Sequence, residues 1–170
     1  IAIAITFACL LMSISLLNTV INTGRISYHL GAWDPPWGIE YVIDYLNGFV
    51  LVIVSFIFFM VTIYARRSVA HEINKEKIPT FYSIYMLLFT GLMGITITGD
   101  IFNLYVFIEI ASLAAYTLVA MGKKRRALMA SYNYLILGTI AATFILLGIG
   151  YLYMVTGSLN MADLREILPG

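Results

Sequence analysis

Five long apolar runs make up most of the chain, and short polar segments separate them. They cover residues 1–22, 45–65, 80–98, 101–121 and 127–154. A helix rises 1.5 Å per residue, so about 20 apolar residues cross a hydrocarbon core about 30 Å thick. The pattern predicts an all-α, polytopic transmembrane helix bundle with about five spans, forming a single transmembrane domain over residues 1–170. The chain begins with Ile1, and we expect it to be a piece of a longer subunit.

The composition agrees with a membrane protein. Hydrophobic residues make up 61% of the chain, charged residues make up 11%, and the mean hydropathy is +0.92. Soluble domains hold about 45–50% apolar and about 25% charged residues. The single cysteine, Cys9, excludes a disulfide within the chain and is typical of a small buried hydrophobe.

The segment between the first two spans, residues 23–44, is rich in Gly and Pro and predicts a loop at the membrane surface. Aromatic residues in this loop match the belt that forms at a headgroup interface. His29 has no cluster of ligand residues around it, so a solvated side chain fits better than a metal ligand. The aromatic residues are Tyr28, Trp33, Trp37 and Tyr41.

The basic residues predict which way the chain crosses the membrane. The linker 66–77 and the loop 123–126 each carry four Lys or Arg, and of the ten in the chain only Arg25 and Arg165 lie elsewhere. Alternate loops of a five-span chain lie on opposite sides, and the more basic side faces the cytoplasm. We therefore predict a multi-pass cell-membrane protein with loops 66–77 and 123–126 in the cytoplasm. Four bases between two apolar spans indicate an anchored hairpin, and we expect no nucleic-acid partner.

Glu109 is the one ionisable residue inside the fourth run. Placing a charged side chain at the centre of a membrane helix costs roughly 2.5–3.5 kcal/mol, and such residues usually have a function. Tyr105, Ser112 and Tyr116 lie at helical spacing from it and form a polar stripe on one face. We predict that these four residues take part in proton or ion translocation. The alternative is a structural role in which Glu109 only bonds one helix to another.

Other residues predict where helices end and where they pack against each other. Asp100 and Asn103 are typical of a helix start. Gly91 and Gly94, one turn apart, would let a neighbouring backbone approach closely, and residues 138–142 offer a similar face of small residues. The tail, residues 156–170, predicts an amphipathic surface stretch or the lead into another helix.

The segments GDIFNLYVFIE at 99–109 and ASLAAY at 111–116 resemble the fifth helix of the antiporter-like subunits. This family is shared by Mrp-type Na⁺/H⁺ antiporters, energy-converting membrane hydrogenases and respiratory complex I. The GDIFN opening is more similar to the D-type Mrp subunits and their archaeal hydrogenase relatives than to the complex I subunits. Further similar stretches are GAWDPPWGI at 31–39, LLGIGYLY at 146–153 and TGSLN at 156–160.

The resemblance implies a subunit of fourteen helices with two inverted five-helix repeats, in which this chain supplies helices two to six. Glu109 would be the Glu of helix five, whose family partner is a Lys on a broken seventh helix that has no counterpart here. Asn133 stands where many members carry a Lys. An Asn side chain can bond a water molecule but cannot hold a mobile charge, so helix six is expected to be a weaker proton route.

The preferred hypothesis is therefore part of a proton- or sodium-translocating subunit in a multisubunit membrane complex. Its expected partners are other membrane subunits, the lipid bilayer, H⁺ and, for some members, Na⁺. The competing hypotheses are a structural or assembly membrane protein and an unrelated secondary transporter with a midplane site. No catalytic, cofactor-binding or metal-binding motif is recognisable in the sequence, so any redox chemistry is expected in partner subunits of an oxidoreductase or antiporter complex.

Overall fold

The structure is a computed structural model that describes residues 1–123 and 125–168. The predicted basic loop 123–126 includes Lys124, and the predicted tail includes Pro169 and Gly170; these three residues lie outside the described part.

Six α-helices make up most of the described chain, and five of them are long and apolar enough to cross a membrane. The all-α polytopic bundle predicted from the sequence is thus confirmed. Helices α2 and α5 extend beyond their apolar runs because polar residues at the ends of membrane helices continue the helix into the headgroup region. The helices are α1 (Ala2–Thr23), α2 (Tyr45–Glu72), α3 (Ile78–Ile97), α4 (Ile101–Ala120), α5 (Arg125–Thr156) and α6 (Met161–Ile167).

The segment between α1 and α2 is more ordered than the predicted loop. It contains a two-stranded antiparallel hairpin, with β1 (Ile26–His29) paired to β2 (Glu40–Ile43). Ile and Tyr in β1 and Tyr, Val and Ile in β2 have high strand propensity, while both prolines of the segment, Pro35 and Pro36, lie in the turn. At that turn the side chains of Trp33 and Trp37 are 67% and 85% exposed, as aromatic residues of an interfacial belt need to be.

Consecutive long helices pack against each other in chain order. The connections therefore alternate between the two ends of the bundle. At one end the amide of Gly99 donates to the carbonyl of Glu40 over 2.8 Å, and the amide of Met161 donates to the carbonyl of Gly99 over 2.8 Å. At the other end, Nζ of Lys123 donates to the carbonyl of His71 over 3.0 Å. The two basic connections thus share an end, which we call the basic end.

Glycines allow α3 and α4 to approach closely, as the sequence predicted. A methyl group added at Gly91 would lie 2.9 Å from the backbone nitrogen of Ala111, and Gly94 lies directly against the ring of Phe107. Protein interiors tolerate little overlap of this kind. These glycines therefore set the spacing of α3 and α4, and hence the position of the Glu109 helix.

Candidate functional site

Glu109 lies near the middle of α4, nine residues beyond the Asp100 that begins the helix. At 1.5 Å per residue this is about 13 Å from the helix start, close to the centre of a bilayer core. The side chain is half-buried. Within residues 1–123 and 125–168, no hydrogen bond or ion pair engages its carboxylate. The group is therefore available to a proton, a water molecule or a partner outside this chain.

At Tyr116, the face of α4 that carries the predicted stripe packs against α5. Tyr116 is buried, its hydroxyl lies against Gly138, and its ring makes an edge contact with Tyr134 at 4.5 Å between centroids. Oγ of Ser131 donates to the carbonyl of Tyr116 over 2.7 Å. Seven residues are nearly two helical turns, so Glu109 lies on almost the same face as Tyr116.

The other two stripe residues, Tyr105 and Ser112, are half-buried. The ring of Tyr105 lies 6.2 Å from that of Phe102. Among the described residues, no hydrogen bond joins any two of the four predicted site residues. The structure places all four on one side of α4 but does not bring them into direct contact, so a proton path along them would need intervening water.

The start of α4 is a buried polar turn. The Asp100 carboxylate accepts from the backbone amide of Asn103 over 2.6 Å, which confirms Asp100 as the N-cap residue. Nδ2 of Asn103 donates to Oγ1 of Thr98 over 3.0 Å, so Asn103 reinforces the cap from inside the helix. Burial raises the pKa of the Asp100 carboxyl, and hydrogen bonds from the amides of Asn103 and Phe102 oppose that rise.

A second buried acid, Glu40, was not among the site residues predicted from the sequence. In the structure its carboxylate accepts hydrogen bonds from Oγ of Ser27 and, over 2.6 Å, from Nδ2 of Asn160. A guanidinium nitrogen of Arg25 lies 3.8 Å away and Nε2 of His29 lies 4.0 Å away. Burial works to raise the pKa of Glu40, but the hydrogen bonds from Ser27 and Asn160 and the charge of Arg25 outweigh it and lower the pKa.

This buried cluster joins three connections at the end opposite the basic end. Asn160 and Asp100 form a backbone bridge, the amide of Ile101 donates to the carbonyl of Leu159 over 2.9 Å, and Oδ1 of Asn160 caps α6 through the amide of Ala162 over 2.8 Å. A cleft of about 580 Å³ opens beside the cluster. No local sequence signal marks Glu40, because its partners Ser27 and Asn160 are 13 and 120 positions away.

Comparison with known proteins identifies the family to which this chain is similar. Residues 98–169 match the family described as "NADH:quinone oxidoreductase/Mrp antiporter, TM". The chain is 48% identical over 157 residues, 92% of its length, to NADH-quinone oxidoreductase subunit N of Desulforudis audaxviator (strain MP104C), of which it covers 31%. It is 35% identical over 149 residues, 88% of its length, to a D-type Na(+)/H(+) antiporter subunit of Bacillus subtilis (strain 168), of which it covers 30%.

Solved structures share the fold. A chain of the membrane-bound sulfane sulfur reductase, an archaeal respiratory membrane complex, superimposes with a TM-score of 0.91 at 34% identity, over 98% of this chain and 34% of that one. A chain of the Mrp complex from Dietzia sp. DQ12-45-1b gives a TM-score of 0.83 at 24% identity over 95% of this chain and 30% of that one, which shows the shared fold.

This chain spans about a third of the length of each of these relatives. Both an NADH-quinone oxidoreductase subunit and a Na(+)/H(+) antiporter subunit are among these relatives. The family expected from the residues around Glu109 is confirmed: the chain belongs to the antiporter-like membrane subunits of the NADH:quinone oxidoreductase/Mrp antiporter family.

Proposed function

We propose that this chain is part of a proton- or sodium-translocating subunit of a multisubunit membrane complex and that Glu109 is its intramembrane proton-carrying carboxylate. The observation that carries the proposal is a half-buried acid midway along α4 that has no partner among the described residues. Membrane proteins rarely keep such a group unless it serves a function.

The chemistry follows from the surroundings of a carboxyl group. A low-dielectric environment favours the neutral form of an acid, and a nearby cation favours the ionised form. Moving a cation toward Glu109 and away from it would therefore release and reload a proton. Moving one charge across 100 mV changes its free energy by about 2.3 kcal/mol, which sets the scale of the work that the cycle performs. The resemblance implies that the cation is a Lys on a helix outside this chain.

The hydroxyl groups of Tyr105, Ser112 and Tyr116 are assigned supporting roles. Each can both donate and accept a hydrogen bond, as a water-filled proton path requires. Tyr116 lies at the seam of α4 and α5, against Gly138. This position supports a path along that seam, with Glu109 nearer the membrane centre.

The orientation is part of the proposal. Both basic connections lie at one end of the bundle, joined by the bond from Lys123 to the carbonyl of His71. We assign this end to the cytoplasm, because the more basic loops of a multi-pass protein remain inside. The cluster around Glu40 then faces the opposite side of the membrane.

The test is Glu109→Gln in the assembled parent complex, reconstituted into vesicles for measurement of proton and sodium flux. The amide keeps the size and hydrogen-bonding capacity of the acid but cannot release a proton. We expect normal assembly and a loss of flux of at least about tenfold, since a positioned proton-transfer group contributes roughly 10²-fold or more. Glu109→Asp should retain part of the flux.

Glu76→Gln is the matched control, because it makes the same change at an exposed acid of the basic end. It should leave flux unchanged. Wild-type flux in assembled Glu109→Gln complexes would end the proton-carrier proposal and favour a structural role. Loss of assembly in Glu109→Gln, with normal assembly in the control, would favour a bond between helices.

A further inference from the structure

The basic end of the bundle contains a cavity with three cationic side chains. It has a volume of about 260 Å³ and lies between the α2–α3 connection and the start of α5. Lys77 comes from the first of these segments, Lys123 precedes α5, and Arg125 begins it. Met121 and Leu128 contribute apolar surface to the same cavity.

A second groove continues from this cavity along α5. Its volume is about 710 Å³, and it shares Arg125 and Leu128 with the first cavity, adding Arg126, Met129 and Tyr132. Positions 125, 128, 129 and 132 lie on one face of a helix. Leu128, Met129 and Tyr132 are 59%, 62% and 58% exposed. The surface thus changes from cationic to apolar within about 10 Å along the helix axis.

Acids of the described chain do not neutralise these bases. Among residues 1–123 and 125–168, the ion pairs all lie in the hairpin, between Arg25 or His29 and Asp34 or Glu40. Nζ of Lys123 instead donates to the carbonyl of His71, a neutral acceptor that does not cancel the charge of the ammonium group.

We propose that this basic groove, formed by Lys77, Lys123, Arg125, Leu128, Met129 and Tyr132, binds an anionic phospholipid of the bilayer. The phosphate group would lie among the three cations, which offer the charge-assisted hydrogen bonds that phosphate oxygens accept. One acyl chain would lie along Leu128, Met129 and Tyr132. This site is separate from the α4 stripe and does not depend on the proposed role of Glu109.

The cationic surface lies at the end of α5 and the apolar surface lies further along it, and this arrangement favours a lipid over an acidic peptide. An acidic peptide needs the cations but gains nothing from an apolar wall running along a membrane-spanning helix. A phospholipid needs both, with the charged part at the end of the helix and the apolar part further into the membrane. Basic pockets between membrane helices are established sites for anionic headgroups in general.

The test uses the assembled complex in phosphatidylcholine nanodiscs that contain a trace of photoreactive lipid. One preparation carries phosphatidylglycerol with a diazirine in the acyl chain, and the other carries phosphatidylcholine with the same group. Mass spectrometry then locates the labelled residues. Each base near an anionic lipid strengthens binding about fivefold. We expect at least about fivefold more labelling of residues 128–132 by the phosphatidylglycerol probe.

Lys123→Gln and Arg125→Gln should each lower that labelling by up to about fivefold, and the double variant should lower it further, toward the phosphatidylcholine level. Arg125→Lys keeps the charge and should keep most of the labelling even where the Gln variants fail to assemble. Lys75→Gln is the matched control, an exposed base at the same end that lines neither cavity. Equal labelling of residues 128–132 by the two probes, or an equal effect of Lys75→Gln, would overturn the proposal.

Discussion

The side-chain amide of Asn160 donates a 2.6 Å hydrogen bond to the carboxylate of Glu40, across 120 positions of sequence. Both residues are buried, and the amide oxygen of Asn160 simultaneously caps α6. One side chain therefore connects the hairpin after α1 to the end of α5. Hydrogen bonds to charged groups contribute about 1.5–3 kcal/mol. This contact therefore stabilises the packing of the hairpin against the segment that follows α5.

Asn160→Asp is expected to destabilise the assembled complex by about 2–3 kcal/mol. Asp caps a helix as well as Asn does, so α6 keeps its cap. The substitution replaces the donor facing Glu40 with a second carboxylate. The double variant Glu40→Gln, Asn160→Asp reverses donor and acceptor and should recover at least half of the loss. Thermal unfolding of the three purified complexes measures this, and equal loss in the single and double variants would show that the contact is unimportant.

The stability of the complex should depend on Glu40 below its ordinary pKa. The folded protein lowers the pKa of this carboxyl from 4.5, so the fold prefers its ionised form. The stabilisation is full above pH 4.5 and declines as the pH falls toward the lower pKa of the folded state. Asp100 acts in the opposite direction, because its pKa is raised and its protonation favours the fold. Unfolding temperatures measured from about pH 7 to about pH 3, with Glu40→Gln as the reference, isolate the contribution of Glu40. Identical pH profiles for the two proteins below pH 4.5 would contradict the expectation.

Gly91→Ala should weaken contact between α3 and α4. The added methyl group would lie 2.9 Å from the backbone nitrogen of Ala111, and a backbone atom cannot move aside as a side chain can. Gly148→Ala is the matched control, since the described protein has no atom within 4 Å of the added group there. Both changes lie inside long helices and gain similar helix propensity. We expect Gly91→Ala to be less stable than the control by about 1–3 kcal/mol. Equal unfolding temperatures would show that α3 and α4 can move apart to accommodate the methyl group.

Cysteine labelling tests the proposed orientation. In a chain carrying Cys9→Ala, we expect Lys75→Cys to react with a membrane-impermeant maleimide only from the cytoplasm and Asp34→Cys only from the other side. Both positions suit the experiment because Lys75 is exposed and the Asp34 side chain is 86% exposed. Right-side-out and inverted vesicles give the two readouts. Labelling of Asp34→Cys in inverted vesicles would reverse the assignment of the basic end.

The hydrophobic pattern alone was sufficient to predict five helices in one membrane bundle. Buried backbone groups in a bilayer core must bond within their own segment, so an apolar run of about 20 residues has few alternatives to a helix. The alternation of spans then predicted that residues 66–77 and 123–126 share an end, which the bond from Lys123 to His71 confirms. The sequence alone shows that Glu109 is the one ionisable residue inside an apolar run. The role of Glu109 remains a prediction.

The tertiary structure decided the features that depend on distant partners. Segment 23–44 contains enough Gly and Pro to predict a loop, yet pairing of Ile26 with Ile43 makes it a hairpin. Glu40 had no distinguishing neighbours in sequence, and only the return of the chain at Asn160 buries it and supplies its donor. The register of α4 on α5, which puts Tyr116 against Gly138, likewise depends on side-chain shape across a helix interface. Periodicity and charge are local properties that a sequence displays directly, whereas contacts between remote residues exist only once the chain has packed.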